Sequence, residues 1–301
     1  MVRVDARQCE VLLDGEIRPA MLRGRLFEDR GEDRSPVAVG DHVRLGIEGD
    51  DLAIDAVLPR RNLFARRAAG EDPDRRQLLA ANVDRVVIVN SVSRPPFSSI
   101  AADRILVSCS FAGIPALVVL NKVDEAKPRR LQRLVDSYTA CGTPVLCTSA
   151  IRGDGLDAFQ EALADRTSVL YGLSGVGKST LLNAIDPALK LETREISGSL
   201  HAGRHTTTFS RWYPLQGGGA VIDTPGVRKF RPYGVPPHEL RLHFPEFRAH
   251  DADCHYTDCS HRDEPGCAVR AALEAGAVPK SRYRSYLEVL AELEDAYGNL
   301  G

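Results

Sequence analysis

Between residues 83 and 223 five short apolar runs, 83–90, 115–120, 144–148, 168–171 and 220–223, stand out, and helical stretches at 101–112, 128–141, 156–164 and 179–185 separate the first four and follow the fourth. Near-continuous apolar runs alternating with 3.6-periodic ones predict buried parallel strands with helical crossovers, a doubly wound α/β domain. Residues 1–66 keep a different rhythm. Val11-Leu12-Leu13 stops at Asp14-Gly15, and short runs from Ala20 and over 37–45 and 52–58 follow without a helical stretch. Several short strands between turns predict a small barrel of the oligonucleotide-binding type. Gly70-Glu71-Asp72-Pro73-Asp74 reads as a linker. Near the C-terminus Tyr283, Leu287, Leu290, Leu293 and Tyr297 form a helical stripe, with Ser281 as the predicted N-cap. The chain therefore reads as multidomain α/β, divided at 1–70, 71–232 and 233–301.

With 301 residues and a formal charge of −2 the chain is not a globally basic nucleic-acid binder, although local patches stay open. No charged-then-apolar leader opens it, and no apolar run approaches the about 18 residues of a membrane span. The expectation is a cytoplasmic protein that does not enter membranes. Cys9, Cys109, Cys141 and Cys147 sit singly in apolar surroundings and are expected to be buried free thiols.

Gly172-Leu173-Ser174-Gly175-Val176-Gly177-Lys178-Ser179, adjoined by Thr180, follows a strand-like run and opens a helix. That is the context of a phosphate loop, in which backbone N–H groups face a β-phosphate, Lys178 reaches the β- and γ-phosphates and Ser179 ligates Mg²⁺. Asp223-Thr224-Pro225-Gly226 follows another strand; the Asp223 carboxylate would hold the same Mg²⁺ through water while the Gly226 N–H faces the γ-phosphate. Asn121-Lys122-Val123-Asp124 and Ser149-Ala150 read the base. Asp124 can accept from guanine N1–H and N2–H₂, where adenine would leave a desolvated carboxylate unpaired. Asn121 would bond N7 and tie this loop to the phosphate loop, the Lys122 stem would cover the base, and the Ala150 N–H would meet O6. These base-reading motifs precede the phosphate loop, the reverse of the ordinary order, which implies a circularly permuted P-loop GTPase domain that binds GTP with Mg²⁺.

Residues 194–208, with Gly198, Gly203, His205 and Thr206-Thr207-Thr208, resemble a loop that closes over Mg²⁺ and γ-phosphate. One of the three threonines is expected to ligate Mg²⁺, with Thr207 as the working assignment. Val227 stands where well-known GTPases have a water-orienting glutamine, so intrinsic hydrolysis should be slow, and His205 is the nearest candidate to orient water as a catalytic group beside Lys178. Cys254, Cys259, His261 and Cys267 supply three thiolates and an imidazole at short spacing, a closed tetrahedral set for one structural Zn²⁺ in a mostly helical domain. His255, adjoining Cys254, would strain as a simultaneous ligand, and His42 reads as a strand surface residue.

The permuted motifs, Pro59-Arg60-Arg61-Asn62-Leu63 after the N-terminal strands, Gly203-Arg204-His205-Thr206-Thr207-Thr208 and the Cys-x4-Cys-x-His-x5-Cys knuckle together resemble the bacterial RsgA family of GTPases, also called YjeQ or EngC. The resemblance covers essentially the whole chain. It implies an N-terminal OB-fold β-barrel, a late-acting assembly factor that binds 16S rRNA on the small (30S) ribosomal subunit, stimulation of GTP hydrolysis there and departure afterwards, and a monomer is expected. Candidate rRNA contacts are Arg60, Arg61, Arg66, Arg67, Arg75, Arg76 and the Arg129, Arg130, Arg133 helix face, any of which would make binding salt-sensitive. The competing readings are a permuted GTPase of the large subunit and a nucleotide-gated RNA-binding module.

Overall fold

The computed structural model describes residues 1–5, 9–49, 51–68, 75–193, 210–224 and 230–298. The chain opens with β1 (Arg3–Val4), β2 (Cys9–Leu13) and β3 (Glu16–Leu22). Asp14 and Gly15 both take positive φ, 51° and 84°, so they form the two-residue turn whose twist suits a hairpin, and Leu13 faces Glu16 across it. A short helix α1 (Arg25–Glu28) precedes β4 (Val43–Glu48) and β5 (Asp51–Val57); β5 runs antiparallel to β4 and parallel to β3. Alternate residues Cys9 and Val11 turn inward onto Ala20, Val37 and Ile54 in a small core of their own. A hairpin of β6 (Leu63–Arg67) and β7 (Arg76–Ala81) follows. It straddles residue 70, where the sequence pattern predicts a domain boundary, and Phe64, near its open end, is fully buried in the large core that follows.

That core surrounds six strands: β8 (Arg85–Ser91), β9 (Ala116–Asn121), β10 (Val145–Thr148), β11 (Thr167–Tyr171), β12 (Arg211–Pro214) and β13 (Ala220–Asp223). They lie in the order β10-β9-β8-β11-β13-β12, the first five parallel and β12 antiparallel to β13. Four helices, α2 (Ser99–Phe111), α3 (Pro128–Thr139), α4 (Leu156–Leu163) and α5 (Lys178–Ile185), make the crossovers. Val86, Ile88, Val118, Leu120 and Val169 face α2 and α3, whereas Val87, Val89, Val119, Leu170 and Val221 face α4 and α5. Both faces are covered, which is why these strands are apolar without alternation. The sheet does not end at β12. Arg211 pairs with Arg3 of β1, and the N-terminal strands extend the same sheet in the order β1-β2-β3-β5-β4.

The C-terminal segment contains a 3₁₀ stretch, Pro237–His243, and helices α6 (Pro245–Asp251), α7 (Ala268–Glu274) and α8 (Lys280–Gly298). Ser281 is not the cap of α8. Helical bonding has already begun before it, since the Pro279 carbonyl accepts from the N–H groups of Arg282 (3.0 Å) and Tyr283 (3.1 Å). The buried face of α8 is Arg282, Ser285, Tyr286, Val289, Leu290 and Leu293, so the apolar stripe lies along one edge of that face and Tyr297 is exposed.

Arg282 holds this segment to α2 of the parallel-sheet domain. Its guanidinium donates to Glu246 of α6 (2.7 Å) and Asp103 of α2 (2.5 Å) and lies 4.6 Å from the Phe244 ring centroid. The side chains of Asp103 and Glu246 are 0% and 3% exposed, so neither carboxylate readily exchanges its partner for water. Arg282→Met should lower the unfolding free energy by about 3–5 kcal/mol, because it strands two buried carboxylates. Denaturant unfolding of the full chain measures this, and a loss under about 1 kcal/mol would mean that water reaches the network.

Candidate functional site

The motifs of the sequence meet at the C-terminal edge of the parallel strands, where open α/β sheets bind ligands. β11 ends at Tyr171, and the chain turns through residues 172–177 into α5, whose first residue is Lys178. Two glycines there are imposed by space. A Cβ on Gly172 would lie 2.3 Å from the Val89 carbonyl oxygen, and one on Gly177 would lie 2.4 Å from Asn121 Nδ2. Gly177 also has φ of +99°, a conformation that L residues avoid. Its missing side chain lets the two loops touch.

Asn121, the last residue of β9, is buried. Its Nδ2 donates to the Val176 carbonyl at 2.9 Å and its Oδ1 accepts from Thr148 Oγ1 at 3.2 Å. Lys122, in the left-handed region at φ 63°, donates from Nζ to the carbonyls of Gly175 (2.8 Å) and Arg94 (2.6 Å). The turn Val123–Glu125 then presents Asp124, whose Oδ1 accepts from Ser149 Oγ at 2.5 Å. Ser149 is buried and its N–H donates to Asp154 O at 3.0 Å, so the hydroxyl that orients the carboxylate is itself fixed. Ala150 follows, packed against the second core. Thr148 and the Arg94 carbonyl carry no motif signature; only the folded chain reveals them.

Lys178 Nζ donates to the carbonyls of Gly172 (2.8 Å) and Leu173 (3.4 Å), two acceptors that an incoming phosphate could replace. Burial pulls its pKa below the ordinary lysine value, opposed by the charge of Asp223. Asp223, paired across the sheet with Leu170, is pushed in the other direction by burial, opposed by Lys178 and the Thr224 N–H. Asp223 Oδ1 is buried and lacks a hydrogen-bond partner among the described residues, a carboxylate oxygen suited to a hydrated divalent cation beside Ser179 at the start of α5. Ser174 and Thr180 are exposed at this rim. His205, Thr206, Thr207, Thr208, Gly226 and Val227 lie outside the described residues.

The second cluster belongs to the C-terminal segment. The donor atoms of Cys254, Cys259, His261 and Cys267 all lie within 4.8 Å of one another. His261 Nδ1 is 3.4 Å from Cys267 Sγ and 3.7 Å from Cys254 Sγ, while its Nε2 lies 3.0 Å from Asp251 Oδ1. The carboxylate fixes which ring nitrogen faces the thiols, and Arg241 grips it at 2.6 and 2.7 Å. The loop is further pinned by Tyr283 Oη to His261 O and Tyr286 Oη to Ser260 O, both 2.7 Å. Three sulfurs and one oriented imidazole, with no fifth donor among the described residues, fit a closed tetrahedral zinc site. Asp251 and Arg241 could not be found from ligand spacing, since second partners follow no fixed interval.

Of the nine candidate RNA-binding arginines, Arg66 and Arg75 donate to the carbonyls of Arg67 (3.0 Å) and Asp33 (3.4 Å), the Arg67 N–H donates to the Arg231 carbonyl (2.9 Å), and the other six form two groups. Arg60 is held by Asp41 (2.7 and 2.9 Å) and the Pro36 carbonyl, Arg61 by Asp84 (2.7 Å) and Arg76 by Asp33 (2.6 Å). These build the junction between the N-terminal strands and the rest. Arg129, Arg130 and Arg133 of α3 are exposed and form no ion pair among the described residues. No helix among those residues is long and apolar enough to cross a membrane.

Comparison with known proteins shows the family of the chain. The family model for RsgA GTPase matches residues 57–232. A small ribosomal subunit biogenesis GTPase RsgA from Bacteroides fragilis is 38% identical over 286 residues, 94% of this chain and 92% of that protein. One from Gemmatimonas aurantiaca is 39% identical over 282 residues, 93% and 91% of the two chains. The crystal structure of YjeQ from Thermotoga maritima superposes with a TM-score of 0.73 at 32% identity, covering 97% of this chain and 96% of that one. YloQ, described as a circularly permuted GTPase, does so with a TM-score of 0.66 at 26% identity, covering 98% and 94%. A loop over 172–179 that follows Asn121-Lys122-Val123-Asp124 in sequence yet bonds to Asn121 in space, in a chain alike over nearly its whole length, makes this protein a GTP-hydrolysing member of the RsgA GTPase family.

Proposed function

We propose that this GTPase acts on the small ribosomal subunit: it binds 16S rRNA late in maturation, is stimulated there to hydrolyse GTP, and then leaves. The observation that carries the reading is the buried bond from Asn121 Nδ2 to the Val176 carbonyl, which makes one guanine-nucleotide pocket of two loops, in a chain whose relatives are named for small-subunit biogenesis. In that pocket Asp124 accepts from guanine N1–H and N2–H₂, the Lys122 stem covers the base and the Ala150 N–H meets O6. Lys178 leaves the Gly172 and Leu173 carbonyls for the β- and γ-phosphates. Ser179, Asp223 and Thr207 would hold Mg²⁺, which would supply charge to offset that of the phosphates, and the Gly226 N–H would meet the γ-phosphate. His205 orients the attacking water, because Val227 is apolar. His205→Ala should lose at least about tenfold in subunit-stimulated turnover with GTP affinity kept; stimulation near the wild-type level removes His205 from the mechanism.

The order β1-β2-β3-β5-β4, with β3 parallel to β5, supports an OB-fold barrel for the N-terminal strands, whose β2–β3 face and loops suit single-stranded RNA. Phe64 packs with the nucleotide-binding core, which favours a barrel ending near residue 58, with the permuted domain running to 232 and a zinc domain over 233–301. The protein works as a cytoplasmic monomer. Cys254, Cys259, His261 and Cys267 hold one structural Zn²⁺ that contributes on the order of 10 kcal/mol to folding of that segment. Purified protein should contain one zinc per chain, and Cys259→Ala should lose both the metal and the helical signal of residues 245–298 while GTP still binds. Zinc-free protein with an intact C-terminal fold would refute the site. Co-sedimentation tests the function itself: the protein should pellet with small subunits in a non-hydrolysable GTP analogue and be released in GDP, whereas retention independent of nucleotide would contradict the cycle.

A further inference from the structure

We infer that Phe64, Tyr171 and Phe230 form the joint through which a partner seated on the N-terminal strands acts on the nucleotide pocket; the identity of that partner rests on the function proposed above. Tyr171 is the last residue of β11 and directly precedes the phosphate loop at Gly172. Phe230 ends the segment that begins with Asp223-Thr224-Pro225-Gly226. Phe64 comes from β6, the hairpin strand that follows the N-terminal sheet. The three rings meet in one cluster. Phe64 stacks on Phe230 at 5.6 Å, and Tyr171 meets both edge-on, at 5.3 Å from Phe230 and 6.0 Å from Phe64. A backbone bond continues the link, from the Arg67 N–H to the Arg231 carbonyl at 2.9 Å.

Each ring thus belongs to a different functional element, and none can move without repacking the other two, because aromatic pairs favour a few discrete arrangements. The joint is also incompletely paired. Tyr171 Oη and Arg66 Nε are buried without hydrogen-bond partners among the described residues, so a shift of the hairpin has polar bonds to gain. The C-terminal segment is attached differently: the Arg282 bonds to Asp103 and Glu246 are buried and charge-assisted, which fixes that segment to α2. A nucleotide-dependent change therefore reaches the N-terminal strands through the aromatic joint more readily than it tilts the C-terminal segment.

Hydrogen exchange of the full-length protein tests this without any partner. Amides of the β6–β7 hairpin in the wild type should exchange about tenfold differently between GDP and a non-hydrolysable GTP analogue, within the usual range of coupling between sites, and Phe64→Leu should erase the difference. Phe64→Leu should keep GTP affinity and intrinsic turnover within about threefold yet lose about tenfold in stimulation by small subunits, with Phe230→Leu giving the same loss and the double variant no more. Equal hairpin exchange in the two nucleotide states of the wild type overturns the joint, as does a folded Phe64→Leu with full stimulation. Should small subunits fail to stimulate even the wild type, the partner is wrong, and the exchange difference still decides the joint.

Discussion

Asp124→Asn should turn this GTPase into a protein that prefers xanthosine triphosphate. In the wild type one carboxylate oxygen is held by the Ser149 hydroxyl at 2.5 Å, which fixes the group where a guanine covered by the Lys122 stem would meet it. The asparagine carbonyl can still accept from Ser149, so the loop keeps its shape. The amide NH₂, however, confronts guanine N1–H and N2–H₂ with a donor, and two charge-assisted bonds are lost. GTP affinity should fall by on the order of 10²–10⁴, since a site built to hydrogen-bond one group rejects its mismatch strongly. Xanthine carries a carbonyl at C2 that accepts from the new amide. Titration of both nucleotides reads the switch directly, and a GTP affinity that stays within about threefold would show that Asp124 does not touch the base.

Lys178→Ala should abolish turnover, by on the order of 10³ or more, because phosphoryl transfer depends on positioned positive charge. The substitution should leave the fold alone: among the described residues the ammonium donates only to the Gly172 and Leu173 carbonyls, which water can satisfy. Single-turnover GTP hydrolysis at saturating nucleotide separates lost chemistry from lost binding. A variant within about tenfold of wild type would move the catalytic charge elsewhere.

The sheet around this site was legible because its strands are buried on both faces. The runs at 115–120, 144–148, 168–171 and 220–223 lie within one or two residues of β9, β10, β11 and β13, and turns that need special backbone geometry, such as Asp14-Gly15, announce themselves in residue type. Spacing also carried the Cys254, Cys259, His261 and Cys267 cluster, since ligands close in sequence need little help to meet. Long-range electrostatics was not legible. Arg282 on a helix reads as a solvated surface residue, and its partners Glu246 and Asp103 are remote in sequence. For the same reason Arg60 and Arg76 resembled free basic residues, while the fold commits them to Asp41 and Asp33. The union of β1 with β12 depends on two edges meeting in space, which no local pattern encodes.

GTP turnover measured with the purified protein alone, with small ribosomal subunits and with large ones tests the account most directly. Alone, the rate should lie near the slow end of unassisted GTPases, roughly 10⁻⁴ to 10⁻² per second, because Val227 cannot orient water. Small subunits should raise it by on the order of 10², and large subunits should leave it unchanged. Equal stimulation by the two subunits, or none by the small one, would contradict the assignment of this GTPase to the small subunit.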